Sequence, residues 1–496
     1  MVRVCARYRA GAALPTAIGY PADMSASDPS IDAAGADESA APRGWFRREV
    51  RALLTLGLPM VGTQLFIMAM GFVDTVVPGR YGTNDLAGVA IGGSILWPVL
   101  MFFNGLIMAV TPIVSQNRGA GRTPESGHTI RQALWIAGLS SLIPMTVLAN
   151  ASPIFALVGA APEVVAIADG YLDALIWGIP ALNLYVVLRH SCEGLGHTIP
   201  PMLIAGSALI LNGVLNVLLV FGYAGFPELG GVGTGYATAC VFWLEFGLVL
   251  LVLRTDWFRE TGFADVFEGP RWQEIRRILT IGVPVGLTIF VEMAVYSVIG
   301  LLAARMGTAE VAAHSVVGNL NWMTFVIPMT LGSAAAIRVG FHVGAEDFDA
   351  SRRTIRAALT LSVGYAICVS AVLVIGRHIV ATMYTEDAAV LAIAANLLLF
   401  VAVYQIADDI QATLAGSLRG YKDTQVPMVI SLIGYWGLAL PIGVAFGFGL
   451  FGLPEYGVYG LWLGMTLGLF VVATTMALRA RAVAGSDEKI RALART

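Results

Sequence analysis

Residues 57–63 read GLPMVGT and residues 282–288 read GVPVGLT, with Gly, Pro and Thr at matching places in the two stretches. Each stretch lies near the start of a long apolar run, 52–76 in the first case and 276–304 in the second. Matched prolines and glycines about 225 residues apart indicate an internal repeat. The sequence therefore predicts two related halves.

The match continues along the chain in the same register. At the same shift it includes Gly82-Thr83 with Gly307-Thr308, Ala87 with Ala312, Gly93 with Gly318, Trp97 with Trp322, and Gly119-Ala120 with Gly344-Ala345. One more residue of shift adds Gly194 with Gly420, Thr198 with Thr424, Pro201-Met202 with Pro427-Met428, and Gly231-Val232 with Gly457-Val458. Chance rarely holds paired residues and a tryptophan in register over so many segments. One scaffold is therefore used twice.

The composition is that of a membrane protein. Hydrophobic residues make up 57% of the chain and charged residues 13%, whereas soluble domains have roughly 45–50% and about 25%. About 20 apolar residues in a helix cross the hydrocarbon core of a bilayer. Twelve runs qualify: 52–76, 86–112, 131–149, 166–189, 200–222, 231–253, 276–304, 311–337, 354–375, 390–416, 426–449 and 457–478. We expect an all-α integral membrane protein with twelve transmembrane helices.

Six helices per repeat is an even number, so both halves enter the membrane from the same side. They are then parallel repeats related by an axis along the membrane normal, an arrangement typical of secondary transporters. The connections are too short for a nucleotide-binding domain, and no GxxxxGK[ST] phosphate loop occurs. The sequence therefore favours an ion gradient over ATP as the energy source.

The distribution of Arg and Lys predicts the orientation. If both termini lie inside, the outer loops carry only Arg80, Arg305 and Arg377, and nearly all other basic residues fall on the inner side. The positive-inside rule then places both termini in the cytoplasm of a multi-pass protein of the cell (inner) membrane. The predicted domains are a disordered cytosolic extension (1–44), an N-terminal six-helix lobe (45–253), an inter-lobe linker (254–275), a C-terminal six-helix lobe (276–480) and a cytosolic tail (481–496).

Three acidic residues fall inside apolar runs. Asp74 lies in the outer part of the first run, Glu292 lies centrally in the seventh, and Asp408 lies well inside the tenth. An ionisable side chain at such depth costs several kcal/mol unless it faces a partner or a wet cavity. A coupling ion and a cationic drug could therefore compete for these carboxylates. Asp409 adjoins Asp408 and points about 100° away on a helix, which leaves open which of the two faces the site.

Neutral polar residues accompany these acids. Tyr404 precedes Asp408 by one helical turn and could hydrogen-bond to it. Asn212 and Asn216, spaced i and i+4, form a polar stripe on the fifth run, and Asn183 lies in the fourth. The asparagines either share a pocket with Asp74 or join helices to one another.

Several stretches together resemble the multidrug and toxic compound extrusion (MATE) family, and within it the NorM-type bacterial branch. The resemblance covers nearly all of residues 45–480. It is carried by MGFVDTVVPG (70–79), TPIVSQNRGAG (111–121), PELGGVGTGYAT (227–238), VAAHSVVGN (311–319), IRVGFHVGAED (337–347) and YQIADDIQATLAGSLRGYKD (404–423).

The resemblance implies two six-helix lobes in a V and export of cationic amphipathic compounds in exchange for Na⁺ or H⁺. Asp74, Asn212 and Asn216 match the family's N-terminal pocket. Glu292 and Asp408, with Tyr404 beside them, match its C-terminal ion site, where Na⁺ would bind if it is the coupling ion. Asp409 and the N-terminal extension depart from the family pattern.

Other functions fit the sequence less well. A flippase for lipid-linked oligosaccharides or peptidoglycan precursors would need basic residues in its cavity, but the helix interiors carry acids and almost no Arg or Lys. A polytopic membrane transferase would need clustered catalytic residues beside a sizeable loop domain, and a channel would need a selectivity filter. We therefore expect a monomeric transporter rather than an enzyme. Its partners would be small cations and the lipid bilayer, with no nucleic acid and no cofactor beyond the coupling ion.

Overall fold

The computed structural model describes residues 44–157 and 159–495, and residues 1–43 of the predicted extension lie outside this range. Residues Glu49–Thr496 form one compact unit. The described chain contains eleven helices that are long and apolar enough to cross a membrane, and a bent helix pair that makes a twelfth if it is one span. They are α1 (Trp45–Tyr81), α2 (Thr83–Gly119), α3 (Glu125–Phe155), α4 (Pro162–Ile176 and Ile179–Gly194), α5 (Ile199–Phe221), α6 (Gly231–Val252), α7 (Trp272–Met306), α8 (Thr308–Gly344), α9 (Phe348–Thr382), α10 (Ala388–Gly420), α11 (Gln425–Gly447) and α12 (Val458–Ala484). The predicted all-α membrane fold is confirmed.

Two of these segments are locally irregular. In α4 the two pieces meet at an angle of 52°, and Pro180 lies in the first turn of the second piece, where its missing N–H is tolerated. In α11 a π-helical stretch, Ile433–Ala439, separates two α-helical pieces. Pro441 follows that stretch and cannot donate the usual backbone hydrogen bond, which accounts for the irregular turn before it.

Both repeats begin their second helix in the same way. Gly82 precedes α2 and Gly307 precedes α8. A Cβ on Gly82 would lie 2.6 Å from a carboxylate oxygen of Asp85, and one on Gly307 would lie 2.2 Å from Glu310. In each half, an acidic side chain in the first helical turn folds back over a glycine. The negative charge there stabilises the positive end of the helix dipole.

Each half has hydrophobic packing of its own. The largest core lies in the second half, where α10 packs against α8, α9 and α12 around the fully buried Trp462. The first half has one core around α2, α3 and α4 at the end near Leu106, which also takes in Ile278 of α7, and another near Leu96. Side chains such as Phe72 and Ile375 remain exposed on the outside, as expected for surfaces that face lipid.

The two halves meet at the end of the helices that carries Arg118, Arg338 and Arg419, called the basic end below. There Gly119 of α2 lies against the carbonyl oxygen of Phe341, and Gly344 of α8 lies against that of Gln116. A Cβ on Gly119 or Gly344 would be 1.9 Å or 2.0 Å from those oxygens, so only glycine allows this approach. These two contacts are exchanged by the repeat shift.

A second reciprocal contact lies deeper along the same helices. A Cβ on Gly57 of α1 would lie 3.8 Å from the Cβ of Ala334 of α8, and one on Gly282 of α7 would lie 3.3 Å from that of Ala109 of α2. The first helix of each half therefore packs against the second helix of the other half. The repeat read from the sequence is a repeat in space.

The connection between the halves, after α6 and before α7, is fastened to α3. Arg131 of α3 donates from Nη1 to the carbonyl oxygen of Gly262 at 2.8 Å, and Trp135 donates from Nε1 to that of Glu268 at 2.9 Å. The hydrogen bond between His128 and the Glu268 side chain holds the pKa of Glu268 below its usual range. This connection therefore belongs structurally to the first half.

A short helix, α13 (Asp487–Ala494), follows α12 and rests on the basic end. Ile490 is its buried side chain, and Lys422, in the loop after α10, donates from Nζ to the carbonyl oxygen of Ala494 at 2.9 Å. Burial lowers the pKa of Lys422 to about 7, and Arg277 and Arg122 add to that shift.

Candidate substrate and ion sites

The first site lies where α1, α5 and α6 meet. Asn212 and Asn216 both donate from Nδ2 to Oδ1 of Asp74 at 2.9 Å. Thr238 of α6 donates from Oγ1 to Oδ2 at 3.1 Å. The i, i+4 spacing of the two asparagines on α5 places both amides on the side that faces α1. The structure thus brings together three predicted residues and adds Thr238.

This pocket has unused oxygen atoms. Asn212 and Asn216 are fully buried, and their Oδ1 atoms make no hydrogen bond within the described residues. Together with the Asp74 carboxylate they supply carboxylate and carbonyl oxygens, which suit hard cations. The site could therefore hold an alkali cation or the charged group of an organic cation.

For two polar residues of the first half, the structure differs from what the sequence predicted. Asn183 of α4 is buried and donates from Nδ2 to Oγ of Ser141 at 2.9 Å. Its recorded contact thus joins α4 to α3 and does not connect it to Asp74. Thr238 was not singled out, although it ends the PELGGVGTGYAT stretch.

The second site surrounds Glu292 of α7. Gln411 of α10 donates from Nε2 to Oε1 of Glu292 at 2.8 Å, and Ser431 of α11 approaches the same oxygen at 3.4 Å. Trp436 of α11 donates from Nε1 to the carbonyl oxygen of Val291 at 3.2 Å. Three helices of the second half therefore converge on one carboxylate. The sequence analysis found Glu292 but neither Gln411 nor Ser431.

Asp408 and Asp409 point to different surroundings. Asp408 is buried and within electrostatic reach of Glu292. Tyr404 interacts electrostatically with both of these acids, but the described residues show no hydrogen bond between Tyr404 and Asp408. Asp409 is fully buried on another face of α10, where Gln405 donates from Nε2 to its Oδ1 at 2.5 Å. Asp408 is therefore the acid that shares the site with Glu292.

Asp409 belongs to a network between α8, α9 and α10. Thr324 donates from Oγ1 to Oε1 of Gln405 at 2.9 Å, and Tyr365 donates from its hydroxyl to the carbonyl oxygen of Thr324 at 2.9 Å. Ser362 donates from Oγ to the carbonyl oxygen of Asp409 at 2.8 Å. These bonds join three helices behind the Glu292 site.

None of the four acids pairs with Arg or Lys among the described residues. The ion pairs that the structure contains lie elsewhere, as in Arg189 with Glu193 and Arg479 with Asp423. Within residues 44–157 and 159–495, no group of three or more His, Cys, Asp and Glu side chains could hold a metal ion. Asp74 and Glu292 are instead surrounded by neutral hydrogen-bonding side chains, which leaves their charge free for a mobile cation.

Comparison with known proteins agrees with this architecture. The MatE family model matches residues 59–218 and 284–445, one segment in each half. Multidrug resistance protein MdtK of Edwardsiella ictaluri (strain 93-146) is 40% identical over 437 residues, which cover 88% of this chain and 95% of MdtK.

Two solved structures show the same fold. The eukaryotic MATE transporter AtDTX14 has a TM-score of 0.82 at 20% identity, covering 91% of this chain and 99% of its own. The Vibrio cholerae MATE transporter VcmN, in its bent form, has a TM-score of 0.81 at 21% identity, covering 90% of this chain and 100% of its own. From the family match in both halves and the identity to MdtK over most of its length, this chain belongs to the MatE family.

Proposed function

We propose that this chain is a secondary active antiporter that exports cationic amphipathic compounds in exchange for Na⁺ or H⁺. The observation that carries the proposal is that the acids inside the membrane-spanning helices have neutral surroundings. Asp74 in the first half and Glu292 in the second accept hydrogen bonds from neutral donors, and Asp408 is buried within electrostatic reach of Glu292. No Arg or Lys of the described chain pairs with any of the three. Carboxylates inside membrane-spanning helices that have no fixed counter-charge favour the arrival of a mobile cation.

Competition for these carboxylates would couple the two fluxes. A drug cation and a coupling ion cannot both neutralise the same acid, so binding of one favours release of the other. The reciprocal glycine contacts seal the basic end, which we propose to face the cytoplasm because basic residues concentrate there. Separation of the halves at that end would admit the drug from inside, in an alternating-access cycle.

The family relative supports export of toxic compounds, since MdtK is named a multidrug resistance protein. A flippase for lipid-linked precursors is disfavoured because its anionic pyrophosphate would meet Asp74 and Glu292, neither of which pairs with an Arg or Lys in the described part of the chain. A membrane transferase is disfavoured because Glu292 and Asp409 each accept a short hydrogen bond from a glutamine amide, which is not a nucleophile, and Ser431 approaches Glu292 only at 3.4 Å.

The test is drug efflux from proteoliposomes with a Na⁺ gradient and a pH gradient imposed separately. We expect at least one gradient to drive efflux of ethidium or a norfloxacin-like cation. Asp408→Asn and Glu292→Gln should each abolish that efflux without loss of protein. Asp173→Asn, which alters an exposed acid on α4, is the matched control and should leave efflux unchanged.

Failure of both gradients to move any member of a broad panel of cations would refute the antiport proposal. Retained transport in both Asp408→Asn and Glu292→Gln would place the coupling site at Asp74 instead. Cells that lack their own exporters provide a second measurement, since expression of the chain should reduce their accumulation of the same cations.

A further inference from the structure

A cluster of aromatic side chains fills the second half beside the acids. His314 of α8 stacks on Tyr296 of α7, with ring centres 4.7 Å apart. Trp462 of α12 lies 5.8 Å from His314 and 6.2 Å from Tyr296, and its ring centre is 6.0 Å from that of Tyr404. The cluster is therefore continuous from His314 to Tyr404, which precedes Asp408 by one helical turn.

Three polar atoms of this cluster have no partner. They are Nδ1 of His314, the hydroxyl of Tyr296 and Nε1 of Trp462, all buried and without a hydrogen bond within the described residues. His314 is 4% exposed and Trp462 is 0% exposed. An unsatisfied buried polar group costs about 1–3 kcal/mol, and such groups in native proteins usually bind a water molecule. Because the Trp462 N–H can only donate, the partner must offer an acceptor oxygen, as water does and a bare metal ion does not.

Glycines fix where the cluster lies. The hydroxyl of Tyr296 packs against Gly318, where a Cβ would lie 2.2 Å from it. The His314 ring packs against Gly300, where a Cβ would lie 3.4 Å from both Cδ2 and Nε2 of the ring. Gly300 is two helical turns, or about 12 Å, further from the basic end than Glu292. His314 thus lies between the second-half acids and the end of the molecule opposite to the basic end.

Few titratable groups face His314. Tyr296 is the one that faces it from α7, and α12 presents Trp462, which does not titrate. On α8 itself, Glu310 lies one turn nearer the opposite end. No charged side chain of the described chain interacts electrostatically with His314. Histidine is the side chain that ordinarily gains and loses a proton near neutral pH.

We propose that His314, Tyr296 and a water held in place by the Trp462 N–H form a proton relay from the end opposite the basic end to the second-half carboxylates. In each transfer His314 accepts a proton from a hydronium ion at that end, which leaves water there, and releases one to the enclosed water. That water passes a proton to a second water beside Tyr404, the second water passes one to the Asp408 carboxylate, and the relay groups return to their starting state. The proposal rests on the antiport function above and makes the proton a coupling ion of the second half.

The test measures ethidium efflux from loaded proteoliposomes at a fixed pH gradient while the outer pH is varied. Wild-type efflux should depend on outer pH, and His314→Gln should slow it at least tenfold and flatten that dependence, because positioned proton transfer contributes roughly 10²-fold or more. Tyr296→Phe and Trp462→Phe keep an aromatic ring, so they should flatten the profile with a smaller loss of rate. His378→Gln, at the far end of α9, is the matched control and should behave as wild type.

Exchange of labelled for unlabelled ethidium without any gradient should be unchanged in all variants, which separates relay from folding and drug binding. A wild-type pH profile in His314→Gln and Tyr296→Phe would overturn the relay. If His314→Gln does not fold, the pH profile of Tyr296→Phe, a variant that loses only one oxygen atom, tests the relay by itself. Wild-type efflux driven by Na⁺ and indifferent to pH would also overturn the relay while leaving antiport intact. Wild-type vesicles inactive under both gradients would instead refute the antiport.

Discussion

Arg338 of α8 holds Glu49 of α1 in a buried, two-point ion pair. Its Nη2 lies 2.6 Å from Oε1 of Glu49 and its Nε lies 3.3 Å from Oε2. Thr354 of α9 donates from Oγ1 to the same Oε2 at 2.9 Å. The pair therefore ties the first helix of one half to two helices of the other at the basic end, where an opening movement would have to separate them.

Arg338→Met should weaken the sealed basic end. Removal of one partner of a buried ion pair costs about 3–5 kcal/mol, because the other charge stays buried alone. We expect a lower Tm in detergent and faster thiol labelling of a cysteine placed at that end. Arg356→Met, which alters an exposed arginine of α9, is the control. The double variant Glu49→Gln/Arg338→Met should recover much of the loss, and an unchanged Tm in the single variant would contradict the prediction.

Gly119→Ala should prevent the halves from closing at the basic end. The added Cβ would be 1.9 Å from the carbonyl oxygen of Phe341, which cannot move without its helix. Transport should fall at least tenfold while drug binding persists. The control is Gly138→Ala on α3, where a Cβ meets nothing within 4 Å. A wild-type efflux rate in Gly119→Ala would contradict this prediction, because it would show that the halves can still close with a larger residue at this contact.

Thr238→Val should weaken drug binding at the first site. The Thr238 hydrogen bond stabilises the ionised form of Asp74, so its loss should weaken the binding of a cation that needs this charge, and the apparent Kd should rise by up to roughly tenfold. Asp74→Asn should abolish export, since its side chain no longer offers the negative charge. Thr75→Val is the control, because Thr75 bonds to the backbone of Gly71 rather than to Asp74. Equal affinities in Thr238→Val and Thr75→Val would remove Thr238 from the site.

Asp409→Asn should leave efflux within about threefold of wild type, in contrast to Asp408→Asn. An asparagine can still accept the hydrogen bond from Gln405, so the network behind α10 would persist. The comparison uses the same proteoliposome assay and equal amounts of folded protein. Loss of efflux in Asp409→Asn together with full activity in Asp408→Asn would reverse our assignment of the two acids.

Lys422→Met should stabilise the protein below neutral pH. The folded-state pKa of Lys422, about 7, lies below its unfolded value, about 10.4. The unfolded chain therefore binds more protons between these values, and this lysine makes stability rise with pH across that window. Below pH 7 the full penalty applies to wild type, so Lys422→Met should raise Tm most at pH 6 and least near pH 10. Lys489→Met, an exposed lysine of α13, should show no such trend.

The sequence predicted the spans and their repeat because both depend on local composition and spacing. A run of apolar residues marks a membrane helix wherever it packs, and the shift that aligns Pro59 with Pro284 also relates Gly119 to Gly344. The Asp74 pocket was foreseeable for a similar reason, since the i, i+4 spacing of Asn212 and Asn216 defines one face of α5.

The partners of the second site could not be predicted in this way. Gln411 and Ser431 are neutral side chains whose contact with Glu292 depends on the rotation of α10 and on the geometry of α11 next to its π-helical stretch. The choice between Asp408 and Asp409 depends on the same rotation. Residue type shows that a polar group must find a partner, but only the packing of the helices decides which one.

The exchanged contacts at the basic end have the form of an isologous dimer interface, in which one patch meets its own copy across a two-fold axis. Gly119 with Phe341 and Gly344 with Gln116 are such a pair of equivalent contacts, except that both copies here belong to a single chain. Glu49 has a glutamate at its equivalent position, Glu274, whereas Arg338 has Ile113. The molecule is thus organised like a fused homodimer whose two sides differ in sequence, and the Glu49–Arg338 ion pair belongs to one side of the axis because Ile113 stands where the other side would need an arginine.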